Sequence, residues 1–405
     1  MSSTADTGSV LIANAPGLRV VDLNRPKALN ALNAEMVDTL LPLVRDWQQL
    51  DGDVKMVVFR GVGGRAFCAG GDIRFLHECA SGDEERRAAA HRFFNEEYSL
   101  NHALGTSRVP VVSLLDGIVM GGGVGLSVHG QFRIATESTL FAMPEVGIGF
   151  FPDVGGTFFL PRLRGALGNY LGLTGARLSG RDVHAAGVAT HFVASERVPL
   201  LEGLLANYAQ KALDKGGDID QATMHSAIAA LDHIDHFTQP AGSSPPEEAP
   251  ASYLTVHAEE IDYCFSLPDV PAIMSAVNEM AEAATSAADD QHWSLRAAKE
   301  LSKASPTSLA VTLEALQRGS ELETLGECLQ MEYRIAQRFM RSPDFLSGVA
   351  AVLSKERTAP EWGAAPATAA GVEEYFEAGA GGELELPSPI STGSNYSGGS
   401  FGAVK

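Results

Sequence analysis

The sequence predicts an α/β fold in its first half and a helical region in its second half. Short β-branched runs bounded by glycine recur through the first two hundred residues, and amphipathic helical patterns separate them. Such alternation of strands and helices is typical of layered α/β architectures. From about residue 254 onward, one helical pattern follows another, with apolar residues at intervals of three and four.

The first elements follow from patterns near the amino terminus. Residues 10–23 are typical of a β-hairpin, because two apolar runs flank a Pro-Gly pair suited to the turn. Residues 30–50 carry apolar side chains at helical spacing, and Asn33 is a suitable N-cap for this helix. Residues 55–62 are a short apolar run bounded by glycine, which favours a buried strand.

Two further strands and a glycine-rich junction are predicted in the middle of this half. The runs 110–119 and 132–138 each favour a strand, and the segment 120–130, MGGGVGLSVHG, favours a helix start between them. Residues 198–213 then predict a helix. We therefore expect strand, glycine-containing turn and helix to follow one another in this half.

The chain divides into three predicted parts. Residues 1–253 are expected to form a core with its connecting segment, and residues 254–362 a carboxyl-terminal helical region. The tail, residues 363–405, is rich in Ala, Gly, Glu and Ser, and we expect most of it to be loosely ordered. A chain of 405 residues is long enough for one large domain or two, with ample apolar material for a core.

Composition and charge narrow the classes of function. The chain has 30 Lys and Arg against 50 Asp and Glu, a formal net charge of −20. This balance argues against a nucleic-acid backbone or an anionic membrane as the main partner. It leaves room for an anionic small molecule, because a local cluster of donors can oppose the average charge. No apolar run reaches the roughly 18 residues that a transmembrane helix needs.

The cysteines and the amino-terminal sequence bear on the compartment. Cys68, Cys79, Cys264 and Cys328 lack CxxC spacing, so we expect reduced thiols and neither a disulfide frame nor a zinc site. The amino terminus has no secretory signal pattern and no Arg-rich presequence pattern, since its first arginine is Arg19. We expect a soluble protein of the cytoplasm or, if a leader is missing, of the mitochondrial matrix.

Three glycine-containing segments are the candidates for chemistry. They are RAFCAGGDI (65–73), MGGGVGLSVHG (120–130) and FAMPEVGIGFFPDVGGTFFLPRL (141–163). None fits a nucleotide-binding glycine signature, so an NAD or ATP site is disfavoured. A strand, glycines and then a helix expose backbone N–H groups that a ligand oxygen can approach closely. Two such junctions at one point would form an oxyanion hole, whereas the alternative is that the glycines serve only tight turns and close packing.

Four segments also share an order and spacing: NRPKALNAL (24–32), AFCAGGDI (66–73), residues 116–145 and LTGARLSGRDVHAAGVATHFV (173–193). Together they resemble the crotonase, or enoyl-CoA hydratase/isomerase, superfamily. FFNEEYSLN, MPEVGIGFFPDVGGTFFLPRL and SPTSLAVTLEAL are most similar to its acyl-CoA hydrolase subgroup. The resemblance covers about residues 10–362 and implies an α/β fold, a crotonase-type spiral of ββα units with a carboxyl-terminal helical region.

The resemblance implies two backbone donors for a thioester oxygen. In this superfamily, two peptide N–H groups bind the carbonyl oxygen of a CoA thioester. The matching positions are Gly71, in AFCAGGDI, and Gly122, in GGGVGL. This agrees with the interpretation of two strand–glycine–helix junctions as an oxyanion hole, which stabilises the charge that develops on a carbonyl oxygen.

Carboxylates separate the subfamilies that the resemblance allows. Hydratases of the superfamily carry one glutamate two residues beyond the GGG and a second glutamate in the later P-E segment. In this chain the first position is Gly125, and only the second glutamate, Glu145, is present. The hydrolase subgroup pairs the P-E glutamate with an aspartate eight residues on, which matches Asp153. Glu97 matches a substrate-contacting position, and the alternative for it is a solvated helix glutamate.

The implied reaction is hydrolysis of a short, branched β-hydroxyacyl-CoA thioester, and the expected substrate is 3-hydroxyisobutyryl-CoA of valine breakdown. Glu145 is expected to attack the thioester carbon directly or to act as a base on water, and both routes stay open. Asp153 is expected to orient the substrate hydroxyl or the hydrolytic water. Glu97 is expected to accept a hydrogen bond from the 3-hydroxyl group.

Two other functions are alternatives. An enoyl-CoA hydratase or isomerase would need the carboxylate that Gly125 replaces, and a non-catalytic crotonase-fold scaffold would need neither Glu145 nor Asp153. We expect no metal or redox cofactor, since the histidines show no HxxxH pairing with a carboxylate at ligand spacing. The expected partner is an acyl-CoA substrate. The superfamily, whose members often form trimers or hexamers, allows a homo-oligomer.

Overall fold

The structure, a computed structural model, describes residues 8–48, 52–232, 252–287, 289–356, 358–364 and 369–387. Within these residues, ten strands form two sheets. The strands are β1 (Val10–Ala15), β2 (Leu18–Leu23), β3 (Met56–Gly61), β4 (Ala66–Cys68), β5 (Val111–Leu115), β6 (Ile118–Met120), β7 (Phe132–Ala135), β8 (Leu140–Ala142), β9 (Leu178–Ser179) and β10 (His191–Phe192).

Helices separate the strands in the first half and fill the second half. The first half contains α1 (Ala34–Trp47), α2 (Ile73–Ala80), α3 (Glu84–Gly105), α4 (Gly122–Gly125), α5 (Gly156–Phe159), α6 (Leu167–Thr174), α7 (Arg181–Ala185), α8 (Val198–Lys215) and α9 (Gln221–Asp232). The second half contains α10 (Tyr253–Val256), α11 (Ala258–Phe265), α12 (Val270–Ser286), α13 (Trp293–Lys303), α14 (Pro306–Glu321), α15 (Leu325–Phe339), α16 (Pro343–Leu353) and α17 (Ala369–Glu373). Among the described helices, none has the length and hydrophobicity needed to cross a membrane.

Through the middle of the spiral, from β3 to β8, consecutive strands alternate between the two sheets. The larger sheet has the order β1-β2-β3-β5-β7-β10, with an antiparallel β1–β2 hairpin and parallel pairing from β2 onward. The smaller sheet has the order β4-β6-β8-β9, in which β4, β6 and β8 are parallel and β9 is antiparallel to β8. From β3 to β8, each strand of the larger sheet is followed by one of the smaller. This alternation confirms the predicted spiral of ββα units.

The predicted hairpin, first helix and buried strand are present. At the hairpin turn Gly17 has a φ of +73°, and a Cβ there would lie 2.4 Å from the Ala209 carbonyl oxygen. Helix α1 begins after Asn33, whose side chain accepts a hydrogen bond from the Met36 N–H, as the sequence predicts. Strand β3 lies between β2 and β5, with its first four residues buried. Local patterns therefore set this part of the fold.

Apolar side chains form one large core and one smaller core. The large core joins the spiral to the carboxyl-terminal helices, since buried residues such as Phe59, Leu309 and Phe339 belong to one cluster. The smaller core lies between the larger sheet and helices α8 and α9. Burial of each large apolar side chain contributes about 1.5–3 kcal/mol. All four cysteines are free, and all four are buried.

Part of the predicted tail differs from the expectation. In residues 369–387, Phe376 and Leu384 are buried, which places apolar side chains against the helical region. Arg334 of α15 forms an ion pair with Glu383, at 2.9 Å. This stretch is therefore packed, because it supplies both apolar contacts and partners for helix α15. Residues 233–251, 365–368 and 388–405 lie outside the described residues, so the rest of the tail and the middle of the connecting segment remain predictions.

A buried asparagine orders the turn before helix α1. Asn30 is fully buried, and its φ is +56°, in the left-handed region that asparagine tolerates. Its amide nitrogen donates to the carbonyl oxygens of Val62 and Ala66, at 3.0 and 2.8 Å. Its amide oxygen accepts a hydrogen bond from the Arg25 N–H. One side chain thus connects the turn to both ends of the β3–β4 loop.

The chain after Asn30 also holds the first glycine junction. The Leu32 N–H donates to the Gly70 carbonyl oxygen, and the Asp72 N–H donates to the Leu32 carbonyl oxygen, both at 2.8 Å. Asp72 caps helix α2 through its side chain and forms an ion pair with Arg25. The backbone around Gly71 is therefore fixed by the segment that Asn30 positions.

We predict that Asn30→Ala lowers the free energy of unfolding by about 3 kcal/mol, because it leaves three backbone groups, one of them buried and two partly buried, without their partner. The measurement is urea denaturation followed by circular dichroism. Asn14→Ala, at an exposed strand position, is the control and should change stability by no more than about 0.5 kcal/mol. Equal losses in the two variants would contradict the role of Asn30.

Candidate active site

The ends of strands β4 and β6 bring two glycine bends together. The strands are parallel neighbours, so the residues that follow them lie at the same edge of the smaller sheet. A Cβ added at Gly122 would lie 3.2 Å from the Gly71 nitrogen. Neither the Gly71 N–H nor the Gly122 N–H donates a hydrogen bond to a described residue. Both donors are therefore available to one ligand atom.

The two interpretations of the glycines apply at different positions. A Cβ added at Gly123 would lie 2.1 Å from the Cys68 carbonyl oxygen, so this glycine serves close packing. A Cβ added at Gly122 would instead lie 2.8 Å from Glu97 Oε1, in space that borders the carboxylates. The lack of a side chain at Gly122 therefore keeps the site open, whereas the lack of one at Gly123 lets the start of α4 approach β4.

Glu145 faces the second glycine bend. It follows β8, the next strand of the smaller sheet, and begins a 3-10 turn, Glu145–Ile148. A Cβ added at Gly121 would lie 3.0 Å from Glu145 Oε1, while Oε2 is buried without a hydrogen-bond partner in the described structure. Burial, followed by the charge of Asp153, raises the pKa of Glu145 well above its ordinary value. The carboxyl group is therefore buried, with a raised pKa, and one of its two oxygens is free to accept a hydrogen bond.

A hydrogen bond from Tyr98 stabilises the ionised form of Asp153. Its Oδ2 accepts a hydrogen bond of 2.8 Å from the Tyr98 hydroxyl, and only 6% of the residue is exposed. Burial raises the pKa of Asp153 to about 7, and the Tyr98 hydrogen bond opposes this rise. Asp153 therefore titrates close to neutral pH.

Glu97 lies on α3, one residue before Tyr98. It is 2% exposed, so the alternative of a solvated helix glutamate is wrong. Burial, followed by the charge of Asp153, raises the pKa of Glu97 well above its ordinary value. The structure thus brings together all five predicted residues: Gly71, Gly122, Glu97, Glu145 and Asp153.

Position 125, where hydratases carry their additional glutamate, has no room for a side chain. A Cβ added at Gly125 would lie 2.7 Å from Val154 Cβ and 2.8 Å from Asn101 Nδ2. Asn101 is fully buried, and neither atom of its amide has a hydrogen-bond partner in the described structure. The surroundings of Gly125 therefore leave no space for a glutamate.

A carboxylate from the helical region holds the turn after Asp153. Glu332 of α15 is fully buried and accepts hydrogen bonds from the N–H groups of Gly155 and Thr157, at 2.7 and 2.9 Å. The Thr157 hydroxyl donates to the same side chain, at 2.6 Å. Val154 in this turn has a φ of +54°, which costs about 1–3 kcal/mol for a residue other than glycine. Glu332 offsets that cost by binding the residues that follow Val154 in the turn.

Aromatic packing fixes the amino side of the same turn. Phe150 stacks on Phe94 of α3, with ring centroids 5.9 Å apart, and Phe151 stacks on Phe339 of α15 at 5.7 Å. Such pairs contribute about 0.5–1.5 kcal/mol beyond their buried area. Helices α3 and α15 therefore hold the segment that carries Asp153 from both sides.

Three functional side chains were missed at the level of sequence. Asn101 lies four residues after Glu97 in the FFNEEYSLN segment, so its position on the same helix face could have indicated it. Tyr98 directly follows Glu97 and has no such spacing signal. Glu332 has no such signal, because it lies 177 residues from the turn that it binds. Only the packing of α15 against the spiral reveals it.

A histidine cluster also has no counterpart in the sequence predictions. Candidate ligand atoms of His257, Glu260 and His292 lie within 4.8 Å of one another. Glu260 Oε2 lies 2.9 Å from His257 Nδ1 and 3.2 Å from His292 Nε2, and the Trp293 N–H donates to it at 2.8 Å. Hydrogen bonds account for this group, which joins different helices and so escaped a search for local spacing. The absence of a metal cofactor stays a prediction.

We predict that Glu332→Gln lowers the free energy of unfolding by about 1–3 kcal/mol, because one amide N–H₂ would then face the backbone N–H groups of the turn. Urea denaturation followed by circular dichroism measures the change. Glu323→Gln, at an exposed position before α15, is the control and should stay within about 0.5 kcal/mol of the parent. Unchanged stability of Glu332→Gln would show that the carboxylate does not hold the turn.

The chain is similar to known proteins in sequence and in fold. A model of the enoyl-CoA hydratase/isomerase family matches residues 18–376. The mitochondrial 3-hydroxyisobutyryl-CoA hydrolases of Rattus norvegicus and Homo sapiens are both 43% identical over 363 residues, covering 89% of this chain and 86% of each relative. The corresponding hydrolase of Dictyostelium discoideum is 39% identical, covering 89% of this chain and 88% of the relative.

Two crystal structures match nearly the whole chain. A carnitinyl-CoA dehydratase from Mycobacterium thermoresistibile has 35% sequence identity and a TM-score of 0.77, covering 93% of this chain and 98% of its own. An enoyl-CoA hydratase from Rhodobacter sphaeroides has 33% identity and a TM-score of 0.75, covering 94% of this chain and 100% of its own. These matches confirm the crotonase-type fold. With the family match over residues 18–376, they show that the chain belongs to the enoyl-CoA hydratase/isomerase family.

Proposed function

We propose that the chain hydrolyses a short, branched β-hydroxyacyl-CoA thioester, with 3-hydroxyisobutyryl-CoA as its substrate and 3-hydroxyisobutyrate and CoA as its products. The observation that carries the proposal is the meeting of two free glycine N–H groups with Glu145 and Asp153 in one buried site. Relatives that are 39–43% identical are named as hydrolases of this thioester. Valine breakdown is the pathway to which such a reaction belongs.

The Gly71 and Gly122 N–H groups are assigned to the thioester oxygen. The approach of the two bends, with a Gly122 Cβ position only 3.2 Å from the Gly71 nitrogen, suits two donors on one oxygen. Negative charge grows on that oxygen as the carbonyl carbon becomes tetrahedral. Loss of one such donor typically costs about 10²–10³ in rate. Both donors are backbone groups, so their geometry needs no side-chain ordering.

Glu145 is assigned as the nucleophile or the base. As a nucleophile it attacks the thioester carbon, CoA leaves as a thiolate, and water then hydrolyses the mixed anhydride. As a base it takes a proton from the water that attacks the thioester carbon. Its raised pKa makes the ionised carboxylate more basic than an ordinary glutamate, and either route begins only once Glu145 has lost its proton. Its Oε2, without a partner in the described structure, has free acceptor capacity.

Asp153 and Glu97 are assigned supporting roles. With a pKa of about 7, Asp153 can take a proton from the hydrolytic water and release it again at neutral pH. Glu97 Oε1 lies 2.8 Å from the Cβ position of Gly122, beside the bend that is assigned to the thioester oxygen. A 3-hydroxyl group is two carbons from the thioester carbon, so Glu97 is within reach as its hydrogen-bond partner.

Hydration of an enoyl-CoA is the second candidate, because the two similar crystal structures are titled as a dehydratase and a hydratase. Hydration needs one group to activate water and another to protonate the α-carbon. The hydratase position is Gly125, where Val154 and Asn101 leave no room for a glutamate. This favours hydrolysis. A non-catalytic scaffold is disfavoured, because three buried carboxyl groups cost stability without a task.

We predict that Glu145→Gln lowers thiol release from 3-hydroxyisobutyryl-CoA by about 10²–10⁴-fold, because the amide is neither a base nor a nucleophile. A thiol reagent measures CoA release across a panel of acyl-CoA thioesters. Glu35→Gln, at an exposed position of α1, is the control and should keep the parent rate.

The same panel separates the alternatives. Thiol release at the parent rate in Glu145→Gln would contradict the proposed site. A change in enoyl absorbance without thiol release would favour the hydratase, and no turnover of any acyl-CoA would favour the scaffold.

We predict that thiol release increases with pH through about 7, because Glu145 and Asp153 both act in their ionised forms and burial raises the pKa of each, that of Asp153 to about 7. Tyr98→Phe removes a hydrogen bond that lowers this pKa, so the rising limb should move to higher pH. Profiles of kcat/KM between about pH 5.5 and 9 measure the shift. Tyr333→Phe is the control, since its hydroxyl donates to the His91 carbonyl oxygen. An unmoved limb in Tyr98→Phe would refute the assignment.

A further inference from the structure

The histidine cluster of the helical region brings together side chains from separate helices. His257 lies between α10 and α11, Glu260 lies in the first turn of α11, and His292 lies directly before α13. One candidate ligand atom of each lies within 4.8 Å of those of the other two. Among the described residues, this is the one place where three such side chains share a space of this size. None of the three is among the five residues of the candidate active site.

The spacing of these atoms matches the coordination sphere of a small divalent metal ion. Glu260 Oε2 lies 2.9 Å from His257 Nδ1 and 3.2 Å from His292 Nε2. Zn²⁺ binds imidazole nitrogen and carboxylate oxygen at about 2.0–2.2 Å, which places its tetrahedral ligands about 3.4 Å apart. The two distances to the carboxylate oxygen are close to this value. An ion at this point therefore needs only a small movement of the two rings.

Further hydrogen bonds hold the ligand atoms from outside. The Trp293 N–H donates to Glu260 Oε2 at 2.8 Å, and the buried indole packs edge-on against Tyr170. The Ser294 hydroxyl lies 2.8 Å from His292 Nδ1. When Nδ1 carries the ring proton, it donates to this hydroxyl, and Nε2 presents its lone pair to an ion. This exchange gives up only a long hydrogen bond, of 3.4 Å, from the Ser294 N–H to Nδ1. Outer partners of this kind orient the ligands of protein metal sites.

The charge and the exposure of the cluster suit a cation from solvent. Burial alone would raise the pKa of Glu260, but hydrogen bonds from Trp293 and His257 lower it below its ordinary value. No lysine or arginine forms an ion pair with Glu260 within the described structure. The side chains of His257 and Glu260 are 23% and 42% exposed, so an ion can reach them. The carboxylate is therefore ionised, accessible and not neutralised by a permanent cation.

We propose that His257, Glu260 and His292 bind one Zn²⁺ ion, with two imidazole nitrogens, one carboxylate oxygen and a water molecule as its four ligands. Imidazole nitrogens favour zinc over Mg²⁺ and Ca²⁺, which prefer oxygen ligands. Hydrogen bonds hold the same atoms together in the metal-free chain. Each imidazole coordinates in its neutral form, with its proton on the outer ring nitrogen.

A bound ion joins α11 to α13 and so stabilises the helical region. It is not a cofactor of the hydrolysis proposed above, since the cluster supplies no group to the candidate active site. The zinc proposal and the hydrolase proposal are therefore independent.

Isothermal titration of Zn²⁺ into the full chain, without an affinity tag and after removal of metals with EDTA, tests the site. We expect one Zn²⁺ per chain with a Kd of about 1 μM, weaker than structural zinc sites with four protein ligands. Mg²⁺ should bind at least about 100-fold more weakly, because it prefers oxygen ligands. Saturating Zn²⁺ should also raise the melting temperature, since an ion that binds only the folded chain stabilises it.

Three variants remove one ligand each. Glu260→Gln, His257→Gln and His292→Asn should each weaken Zn²⁺ binding at least about 100-fold, since loss of an outer partner alone costs about 10–100-fold. Asparagine at position 292 keeps a side-chain acceptor for the Ser294 N–H, so the cap of α13 is retained. Glu259→Gln, at the exposed neighbouring position, is the matched control and should bind Zn²⁺ like the parent. Circular dichroism checks that all four variants are folded.

Three outcomes would overturn the proposal. Binding at the parent affinity in all three ligand variants would place the ion at another site. Equal losses in Glu259→Gln and Glu260→Gln would show that the general negative charge of α11 attracts the ion. A titration without heat and without a change in melting temperature up to about 0.1 mM Zn²⁺ would show that the cluster forms hydrogen bonds only. Because none of these measurements uses turnover, such failures leave the hydrolase proposal intact.

Discussion

The parallel pairing of β4 with β6 is the constraint on which the candidate site depends. Neighbouring parallel strands end at the same edge of a sheet, so the bends after them come side by side. Their approach is so close that a side chain at Gly122 would contact both the Gly71 nitrogen and Glu97. The strand pair therefore sets the separation of the two N–H donors. Glu97 and Glu145 both lie next to the bend that carries the Gly122 donor.

Three carboxyl groups buried at one point impose a second constraint. Burial raises the pKa of Glu97, Glu145 and Asp153, and the charge of Asp153 raises the pKa of the other two further. Tyr98 compensates only at Asp153. The titrations are therefore coupled, and the three groups do not all ionise near neutral pH. At least one of the three carboxyl groups therefore keeps its proton near neutral pH. Such a site suits a reaction in which water gives up a proton and a leaving group is expelled.

The sequence predicted the parts of this arrangement that depend on local patterns or on the resemblance. Asn33 as an N-cap, the Pro-Gly hairpin turn and the buried strand β3 each follow from a few neighbouring residues. The five site residues came from the resemblance, and three of them, Gly71, Gly122 and Glu145, lie just beyond the ends of β4, β6 and β8. Glu332 could not be predicted, because its hydrogen bonds join a helix to a turn 177 residues away. The packing of residues 369–387 on α15 was missed for the same reason.

The absence of a carboxylate at position 125 and the presence of one at position 153 are linked through the turn that contains Val154. The Cβ of Val154 occupies the space that a side chain at Gly125 would need, so the turn that presents Asp153 also excludes a glutamate from the hydratase position. That turn retains a φ of +54° at Val154 while Glu332 binds the N–H groups that follow. The carboxyl-terminal helical region therefore acts on the chemistry without contributing a reacting group. For the proposed hydrolysis, one turn therefore has two effects. It presents Asp153 to the site, and its Val154 side chain excludes the second hydratase carboxylate.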